Sequence, residues 1–426
     1  MVTGLTWRDT DRRGVSPATE TVQDHAPAPS SSSRAGLDWF NFFIANVQTG
    51  FGPFISVYLT TEQWTQVDIG LVLTVSGGFA LLGQVPAGVL VDAMSSKRLA
   101  AAIAAVAIAG SALALAVWPI FPLVMLAELL HGLASCLMTP AIAAISLGLV
   151  SRTEIAERLG RNARFASIGN GLAAALMGAC GRLISNRAVF VLAAVLAIPA
   201  LIALRYIKPS EIDPVRARGG TPERNPRTLA ARLHGIADNK PLLIFGGCLV
   251  LFHLANGAML PLMASVVTMR SREWATVLIA ACIVAPQLLV AVLSPWIGRK
   301  AEKWGRWPLL IVGFAALPLR GAFFIFVTSP YLLVAVQLLD GISAAVMGVM
   351  LPLVVADATR GSGHFNAALG VVGTAGAIGA SLSTTLAGYV SDSFGNTAAF
   401  VCLAGIAAAG ALMVAGLMPE TRPTRD

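Results

Sequence analysis

Charged side chains are scarce in this chain. Asp, Glu, Lys and Arg make up only 12% of its 426 residues, about half of the roughly 25% usual in soluble domains. Hydrophobic residues reach 56% and the mean hydropathy is +0.74. A soluble protein of this size has too little interior to hide so much apolar surface. The composition therefore excludes a soluble enzyme and predicts a polytopic membrane protein.

Other features are missing as well. The apolar stretches lack the polar–apolar alternation of an outer-membrane barrel, so they are expected to be helices, whose backbone groups bond within the segment. The five cysteines show no CxxC spacing, and no GxxxxGK[ST] motif for ATP is present. The five histidines are scattered without metal-ligand spacing, which argues against a membrane-embedded enzyme such as an acyltransferase. We expect no enzymatic activity, no cofactor or metal, and no nucleic-acid partner.

Twelve apolar segments are long enough to cross a bilayer, since about 20 helical residues span a hydrocarbon core of roughly 30 Å. The predicted spans are 37–60, 67–91, 99–119, 121–150, 163–184, 187–207, 241–268, 274–298, 307–328, 330–358, 364–391 and 396–418.

The polar segments divide the chain into five parts. Residues 1–36, rich in Ser, Pro and charged residues, are predicted to be a disordered cytoplasmic tail. A first bundle of six helices covers 37–207, and a second covers 241–418. The charged segment 208–240 is predicted to be a cytoplasmic linker, and 419–426 a short C-terminal tail.

The distribution of Lys and Arg predicts the orientation. With the N-terminus in the cytoplasm, the short cytoplasmic loops carry eleven basic residues and the outer loops only four. Basic residues concentrate on the cytoplasmic side of membrane proteins. We therefore expect a multi-pass protein of the cell (inner) membrane with both termini in the cytoplasm, and we attribute the net charge of +8 to this bias.

The second half of the chain repeats the first. Short stretches at equivalent places in the two sets of spans match at an offset of 209 or 210 residues. The matching stretches are Leu129–Gly132 with Leu338–Gly341, Gly88–Asp92 with Gly298–Glu302, and Arg187–Phe190 with Thr397–Phe400. Such a duplication indicates two similar bundles that face each other across a central cavity.

The stretch Gly88-Val-Leu-Val-Asp92-Ala-Met-Ser-Ser-Lys97-Arg98 resembles the loop 2–3 signature G-x-x-x-D-x-x-G-R-K of the major facilitator superfamily. Residues 298–306 resemble its second-half copy, and the resemblance covers about 37–418. It implies an all-α membrane protein with twelve transmembrane helices in two pseudo-symmetric six-helix bundles around a central cavity. By resemblance, a gating role falls on Gly88, Asp92, Lys97, Arg98, Gly298, Glu302 and Arg306. The signature is imperfect, since Ser95 replaces a Gly and Glu302 an Asp; topology signals and helix caps are the alternative.

The resemblance also implies a function. It indicates a secondary active transporter, like exporters of the drug/proton-antiporter branch, that moves a small organic solute by alternating access and is coupled to protons. Span five lacks the proline of the Gly-Pro-rich motif common in those exporters, which weakens the case for export. The alternatives are a proton-coupled uptake symporter and a non-transporting sensor on the same fold. We expect a monomer whose partners are the solute, protons and the bilayer.

Ionisable residues inside membrane spans are costly and mark candidate sites. Glu128 and His131 lie three residues apart in span four, on one helix face. They are candidates for proton coupling, and Asp340, which corresponds to His131 in the second half, is a third. A hydrogen-bonded structural pair is the alternative for Glu128 and His131.

Two further predictions concern polar groups at similar depth. Arg320 in span nine and Asp340 in span ten are predicted to form a buried ion pair, because both lie roughly 12 to 15 Å from the same end of consecutive helices. In the resembled family, spans one, four, seven and ten line the cavity, so the resemblance also gives four candidates for contact with substrate. These are Asn46, Gln48, His253 and Asn256. Hydrogen bonding between helices is the alternative.

Overall fold

The computed structural model describes residues 29–49, 51, 53–220, 235–236, 238–270, 272–327 and 329–423. These residues form α-helices, short 3-10 turns and loops. Most of the predicted N-terminal tail and the linker residues 221–234 lie outside the described ranges.

Twelve membrane-length helices make up the described part of the chain. They are α1 (Ser31–Thr61, in two pieces, Ser31–Thr49 and Pro53–Thr61), α2 (Gln66–Ala93), α3 (Lys97–Val117), α4 (Phe121–Leu149), α5 (Ile155–Leu183), α6 (Asn186–Arg205), α7 (Lys240–Arg270), α8 (Arg272–Trp304), α9 (Trp307–Phe326), α10 (Pro330–Ala358), α11 (Phe365–Phe394) and α12 (Asn396–Leu417). Eleven of them are apolar enough to cross a membrane by length and composition. The remaining helix, α5, carries Arg158, Arg161 and Arg164 near its start.

Most helix ends agree with the predicted spans to within three residues, and the exceptions have physical causes. Helix α1 begins at Ser31, six residues before the predicted start, and α5 begins at Ile155, eight residues early. Both starts are polar, so a search for apolar runs missed them. Helix α8 continues six residues past its predicted end, to Trp304. The predicted continuous span one is divided before Pro53, because proline lacks a backbone N–H and disfavours helix in the residue before it.

The two halves pack their helices in the same order. In the first half the main pairs are α1–α5, α1–α6, α2–α4, α3–α4 and α3–α6. The second half repeats each pair with both numbers raised by six. Two seams join the halves: the α2–α11 seam and the α5–α8 seam. The lining of a central cavity by α1, α4, α7 and α10 stays a prediction.

Four glycines bring the seams together backbone to backbone. A methyl group added at Gly88 would lie 2.1 Å from the carbonyl oxygen of Asn366, and one added at Gly370 would lie 2.4 Å from that of Gln84. The α5–α8 seam repeats both contacts at the offset of 210. There, a methyl group added at Gly298 would lie 2.3 Å from the carbonyl oxygen of Ala156, and one added at Gly160 would lie 2.5 Å from that of Ser294. Any side chain at these positions would push the halves apart.

All four contacts lie towards the terminal face. This is the end of the molecule that carries Pro29 and Pro423, the described part of the linker, and the loops after α2, α4, α8 and α10. Towards the opposite end of α2, methyl groups at Gly70, Gly77 or Gly78 would meet no atom of the described residues within 4 Å. The same holds for Gly178 and Gly388, near the corresponding ends of α5 and α11. The halves are therefore closed at the terminal face.

This geometry makes the Gly88→Ala variant informative. The added methyl group meets backbone atoms of α11, which cannot rotate away, so we expect the terminal face to open. Spin labels at the exposed positions Arg205 and Lys303, one on each half, would report a longer distance.

Gly110→Ala is the matched control, because a methyl group there meets no atom within 4 Å. It should leave the distance distribution unchanged and stabilise α3 by about 0.5–1 kcal/mol. An unaltered distribution in Gly88→Ala would contradict the role assigned to the seam.

Candidate functional site

A polar cluster joins three helices of the second half. The guanidinium of Arg320 on α9 forms an ion pair with Asp340 on α10 through Nη1 and Oδ1. Its Nη2 donates a hydrogen bond of 2.6 Å to Oδ1 of Asn256 on α7. Gln337 approaches the other carboxylate oxygen of Asp340 at 3.5 Å through Nε2. The cluster thus fixes α7, α9 and α10 relative to one another.

The members of this cluster differ in exposure. The Arg320 side chain is 1% exposed, whereas that of Asp340 is 25% exposed. Two buried atoms, Nε of Arg320 and Oε1 of Gln337, have no hydrogen-bond partner among the described residues. Asp340 is therefore the accessible member of an ion pair whose cation is buried. The long contact from Gln337 is weak enough for another donor to replace it.

The first half holds a carboxylate without a counter-ion at the equivalent depth. Glu128 on α4 is 2% exposed, and its Oε1 has no hydrogen-bond partner among the described residues. Its main-chain carbonyl accepts a hydrogen bond of 3.2 Å from Ser76 Oγ on α2. Glu128 lies seven residues from the start of α4, roughly 10 Å along the helix. A carboxylate this deep is expensive to ionise.

His131 faces a different set of neighbours from those of Glu128. Its ring stacks on Phe51 with centroids 3.8 Å apart and planes inclined by 7°. Its Nε2 lies 3.2 Å from Ser135 Oγ, one turn further along α4. No hydrogen bond joins His131 to Glu128 in the described residues, so the two share a helix face without forming the hydrogen-bonded pair that was the structural alternative.

The asymmetry between the halves has one source. Glu128 corresponds to Gln337 and His131 to Asp340 at an offset of 209. Arg320 corresponds to Gly110 on α3 at an offset of 210, so the first half has no cation at that place. The second half therefore pairs its carboxylate, and the first half leaves its carboxylate unpaired.

The other predicted cavity residues occupy less open positions. Asn46 is 1% exposed and donates to the carbonyl of Phe42 one turn back, at 2.8 Å. Gln48 is half-buried near the break in α1, and its carbonyl accepts the N–H of Phe51 at 3.2 Å. The ring of His253 packs against α11, where Gly376 leaves room for it. Of the four candidates, Asn256 is the one joined to the Arg320 cluster.

Asp92 crosses the α2–α11 seam. Its carboxylate is 4% exposed and accepts hydrogen bonds from three groups at the start of α11. Oδ1 accepts from Nδ2 of Asn366 at 2.8 Å and from its backbone N–H at 3.3 Å. Oδ2 accepts from the N–H of Ala367 at 2.9 Å. A negative charge is stabilised there by the free N–H groups and dipole of a helix N-terminus.

The basic residues of the same motif act within the first half. Lys97 is 2% exposed and donates to the last carbonyls of α2, at 2.5 Å to Val91 and 2.8 Å to Met94. Arg98 is partly exposed, and its Nε has no hydrogen-bond partner among the described residues. Both begin α3 as helical residues, although the sequence placed them in a loop.

The second-half copy of the motif forms different ion pairs and hydrogen bonds. Glu302 pairs with Arg306 one turn later, at 3.1 Å, rather than crossing to α5. Arg306 also pairs with Asp357 at the end of α10, at 2.8 Å. The carboxylate of Glu420, in the C-terminal tail, accepts the backbone N–H groups of Arg306 and Trp307 at 2.9 and 3.1 Å and so caps α9.

Sequence reasoning missed a further network at the terminal face of the first half. Asp38 on α1 is 3% exposed and pairs with Arg158 and Arg161 on α5. Nε of Arg158 donates to Asn162 Oδ1 at 2.9 Å, and Nδ2 of Asn162 donates to Ser146 Oγ at 2.7 Å. The predicted spans 121–150 and 163–184 place both arginines in a loop. Their spacing of three was the available signal that they share a helix face.

Comparison with known proteins identifies a family whose members resemble this chain in sequence. The family model described as Major Facilitator Superfamily matches residues 38–330 and again 283–426. Two curated relatives, both described as uncharacterized MFS-type transporters, come from Mycobacterium tuberculosis strains CDC 1551 / Oshkosh and H37Rv. Each is 40% identical over 399 residues, which covers 92% of this chain and 94% of the relative.

Solved structures share the fold at lower identity. A Major Facilitator Superfamily transporter, FucP, in its outward conformation matches with a TM-score of 0.73 and 15% identity, over 90% of this chain and 97% of that one. The human organic anion transporter MFSD10 (TETRAN) matches with a TM-score of 0.67 and 15% identity, over 90% and 100% of the two chains.

The Asp92 contacts predict a conformational effect. Asp92→Asn removes the charge that α11 stabilises, and charged hydrogen bonds are worth about 1.5–3 kcal/mol. The fraction of molecules open at the terminal face should rise at least about tenfold, measured with the spin labels at Arg205 and Lys303. The matched control is Glu302→Gln, whose carboxylate stays within its own half and should shift the fraction much less. Equal shifts in both variants would refute the latch.

The Arg320 cluster predicts a stability effect. Asp340→Asn leaves the buried charge of Arg320 unpaired, and Arg320→Gln leaves the partly exposed Asp340 without its counter-ion. Removal of one partner of a buried ion pair costs about 3–5 kcal/mol in soluble proteins. Each single variant should therefore unfold at a lower temperature in detergent, and the double variant should regain part of the loss. Additive losses would show that the two residues do not stabilise each other. A stable but inactive Asp340→Asn protein would instead assign Asp340 to the transport cycle.

Proposed function

Because this chain belongs to the major facilitator superfamily, we propose that it is a proton-coupled transporter that exports a small organic solute by alternating access. Family membership itself makes the protein a membrane transporter of that superfamily. The coupling to protons, the outward direction and the assignment of site residues are the parts proposed.

Glu128 is the observation that carries proton coupling. It is buried in the membrane-spanning part of α4, and it forms no ion pair within the described residues. In such a site a carboxylate is favoured in its neutral, protonated form. A conformational change that brought water to Glu128 would favour release of the proton. The residue would then alternate between protonated and ionised forms as the cavity changed sides.

Asp340 and Asn256 are the proposed solute contacts. Asp340 is the partly exposed member of the Arg320 cluster, and Asn256 shares the same guanidinium. A hydroxyl or amide N–H of the solute would bond to the Asp340 oxygen that Gln337 approaches at 3.5 Å. Because Arg320 already balances the charge of Asp340, the cluster favours a polar group over a strongly charged one.

The proposed orientation puts the terminal face in the cytoplasm of the cell (inner) membrane. The excess of basic residues in the loops on this face supports that placement. The structure, closed at the terminal face, then corresponds to an outward-facing state. In that state a proton from outside would reach Glu128 as solute leaves, and an inward proton gradient would drive export.

Uptake symport and a non-transporting sensor remain the alternatives, and one assay separates all three. Proteoliposomes that enclose the pH-sensitive dye pyranine would receive a panel of candidate solutes from outside. Solute entering in exchange for protons makes the lumen more alkaline, whereas solute entering together with protons makes it more acidic. A sensor produces neither change nor solute flux. Alkalinisation that depends on the solute is the result expected here.

Glu128→Gln tests the coupling residue. The amide mimics the neutral carboxyl group but cannot release a proton, so transport driven by a pH gradient should be lost. Solute counterflow without a gradient should persist, because it requires only binding and the conformational change. Glu62→Gln is the control, since Glu62 pairs with Arg187 at 3.3 Å in a more exposed position. Full gradient-driven transport in Glu128→Gln would remove Glu128 from the mechanism.

A further inference from the structure

A cavity lies at the terminal face, away from the Arg320 cluster and Glu128. Its volume is about 240 Å³. Residues from both halves line it, together with Arg216 and Gly219 of the linker and Arg422 of the C-terminal tail. The cavity therefore exists in this form only while the halves are closed at this face.

The lining of this cavity carries an excess of positive charge. Five arginines and two carboxylates, Glu302 and Asp357, contribute to it. Both carboxylates already pair with Arg306, at 3.1 and 2.8 Å. Arg216 pairs with Asp213 at 3.4 Å and donates to the carbonyl of Gly148 at 3.2 Å. The remaining arginines have no acidic partner on the cavity wall.

Two of these arginines occupy equivalent places in the two halves. Arg152 follows α4 and Arg360 follows α10, at an offset of 208. Both side chains are exposed, and neither forms a hydrogen bond or ion pair within the described residues. They reach the same cavity from opposite sides of the boundary between the halves. Arg422, from the tail, donates to the carbonyls of Glu302 and Lys303 at 3.1 and 2.9 Å and so keeps a third guanidinium at the rim.

We propose that this cavity binds a phosphate-bearing ligand, which Arg152 and Arg360 clamp between the two halves. Guanidinium groups bind phosphate oxygens through paired, charge-assisted hydrogen bonds. The volume admits a diphosphate or a phosphorylated headgroup. A ligand held by both halves binds only the conformer that is closed at the terminal face, so its binding stabilises that conformer and slows its opening. The site regulates the proposed transport cycle without contributing to the solute pathway.

Binding is tested on the purified full-length protein by thermal unfolding, which does not depend on transport activity. Inorganic pyrophosphate is the soluble probe, compared with sodium chloride at equal ionic strength. Nanodiscs with anionic phosphatidylglycerol, compared with zwitterionic phosphatidylcholine, probe a lipid headgroup whose phosphate charge is not balanced by its own cation. We expect at least one phosphate source to raise the unfolding temperature. A shift with pyrophosphate identifies a free phosphate compound, and a shift with phosphatidylglycerol alone identifies a lipid.

Arg152→Gln and Arg360→Gln should each weaken binding at least about tenfold, since each removes a charged hydrogen-bond donor. Arg205→Gln is the control, because it removes the same charge from an exposed position on the same face, outside the cavity. The probe should also shorten the distance between spin labels at two exposed positions of the terminal face, Ser95 and Lys303, in molecules that were open.

Three results would overturn the proposal. One is the absence of a shift with both phosphate sources. Another is a shift that Arg152→Gln and Arg360→Gln retain in full. The third is equal weakening by Arg205→Gln, which would indicate attraction to the general charge of the face. If the proposed transport function fails while the thermal shift and its dependence on Arg152 and Arg360 persist, the binding site stands independently.

Discussion

The close contact between the backbone of four glycines and the main-chain carbonyls of the facing helices is the constraint on which the rest of the structure depends. Gly88, Gly160, Gly298 and Gly370 each leave no space for a side chain against the facing helix. Because main-chain atoms cannot rotate away, the two halves either meet closely at the terminal face or separate. The hydrogen bonds of Asp92 to α11 and the cavity between Arg152 and Arg360 exist only in the closed arrangement.

The two halves also differ in whether a carboxylate inside a membrane span has a counter-ion. The second half has Arg320 and pairs it with Asp340, while the first half has Gly110 at the matching place and leaves Glu128 unpaired. Removal of either partner of a buried ion pair is destabilising, because it leaves the other charge unpaired. A lone carboxylate in a membrane span instead favours its protonated form. The same fold thus supplies a fixed polar contact on one side and a titratable one on the other.

Much of this architecture was predictable from local sequence. The length of the apolar segments predicted the twelve helices, and the repeat offset of 210 residues predicted the two bundles. The equal depth of Arg320 and Asp340 on consecutive helices predicted their ion pair. The predicted fifth span begins eight residues after the start of α5, because the first turns of this helix are polar. The network of Asp38 with Arg158 and Arg161 was therefore not predicted. The cap that Glu420 places on α9 was also missed. Pairings between segments so distant in sequence depend on packing, which composition and periodicity do not encode.

The reciprocal form of the seams bears on how such a chain originates. Each seam joins the second helix of one half to the fifth helix of the other, with glycines and carbonyls in equivalent positions. This is the self-complementary interface of a two-fold symmetric dimer. Two identical six-helix chains would form both seams without a linker. The two subunits of such a homodimer would be identical. Arg320 opposite Gly110, and Asp92 opposite Glu302, are differences that two copies of one chain cannot have.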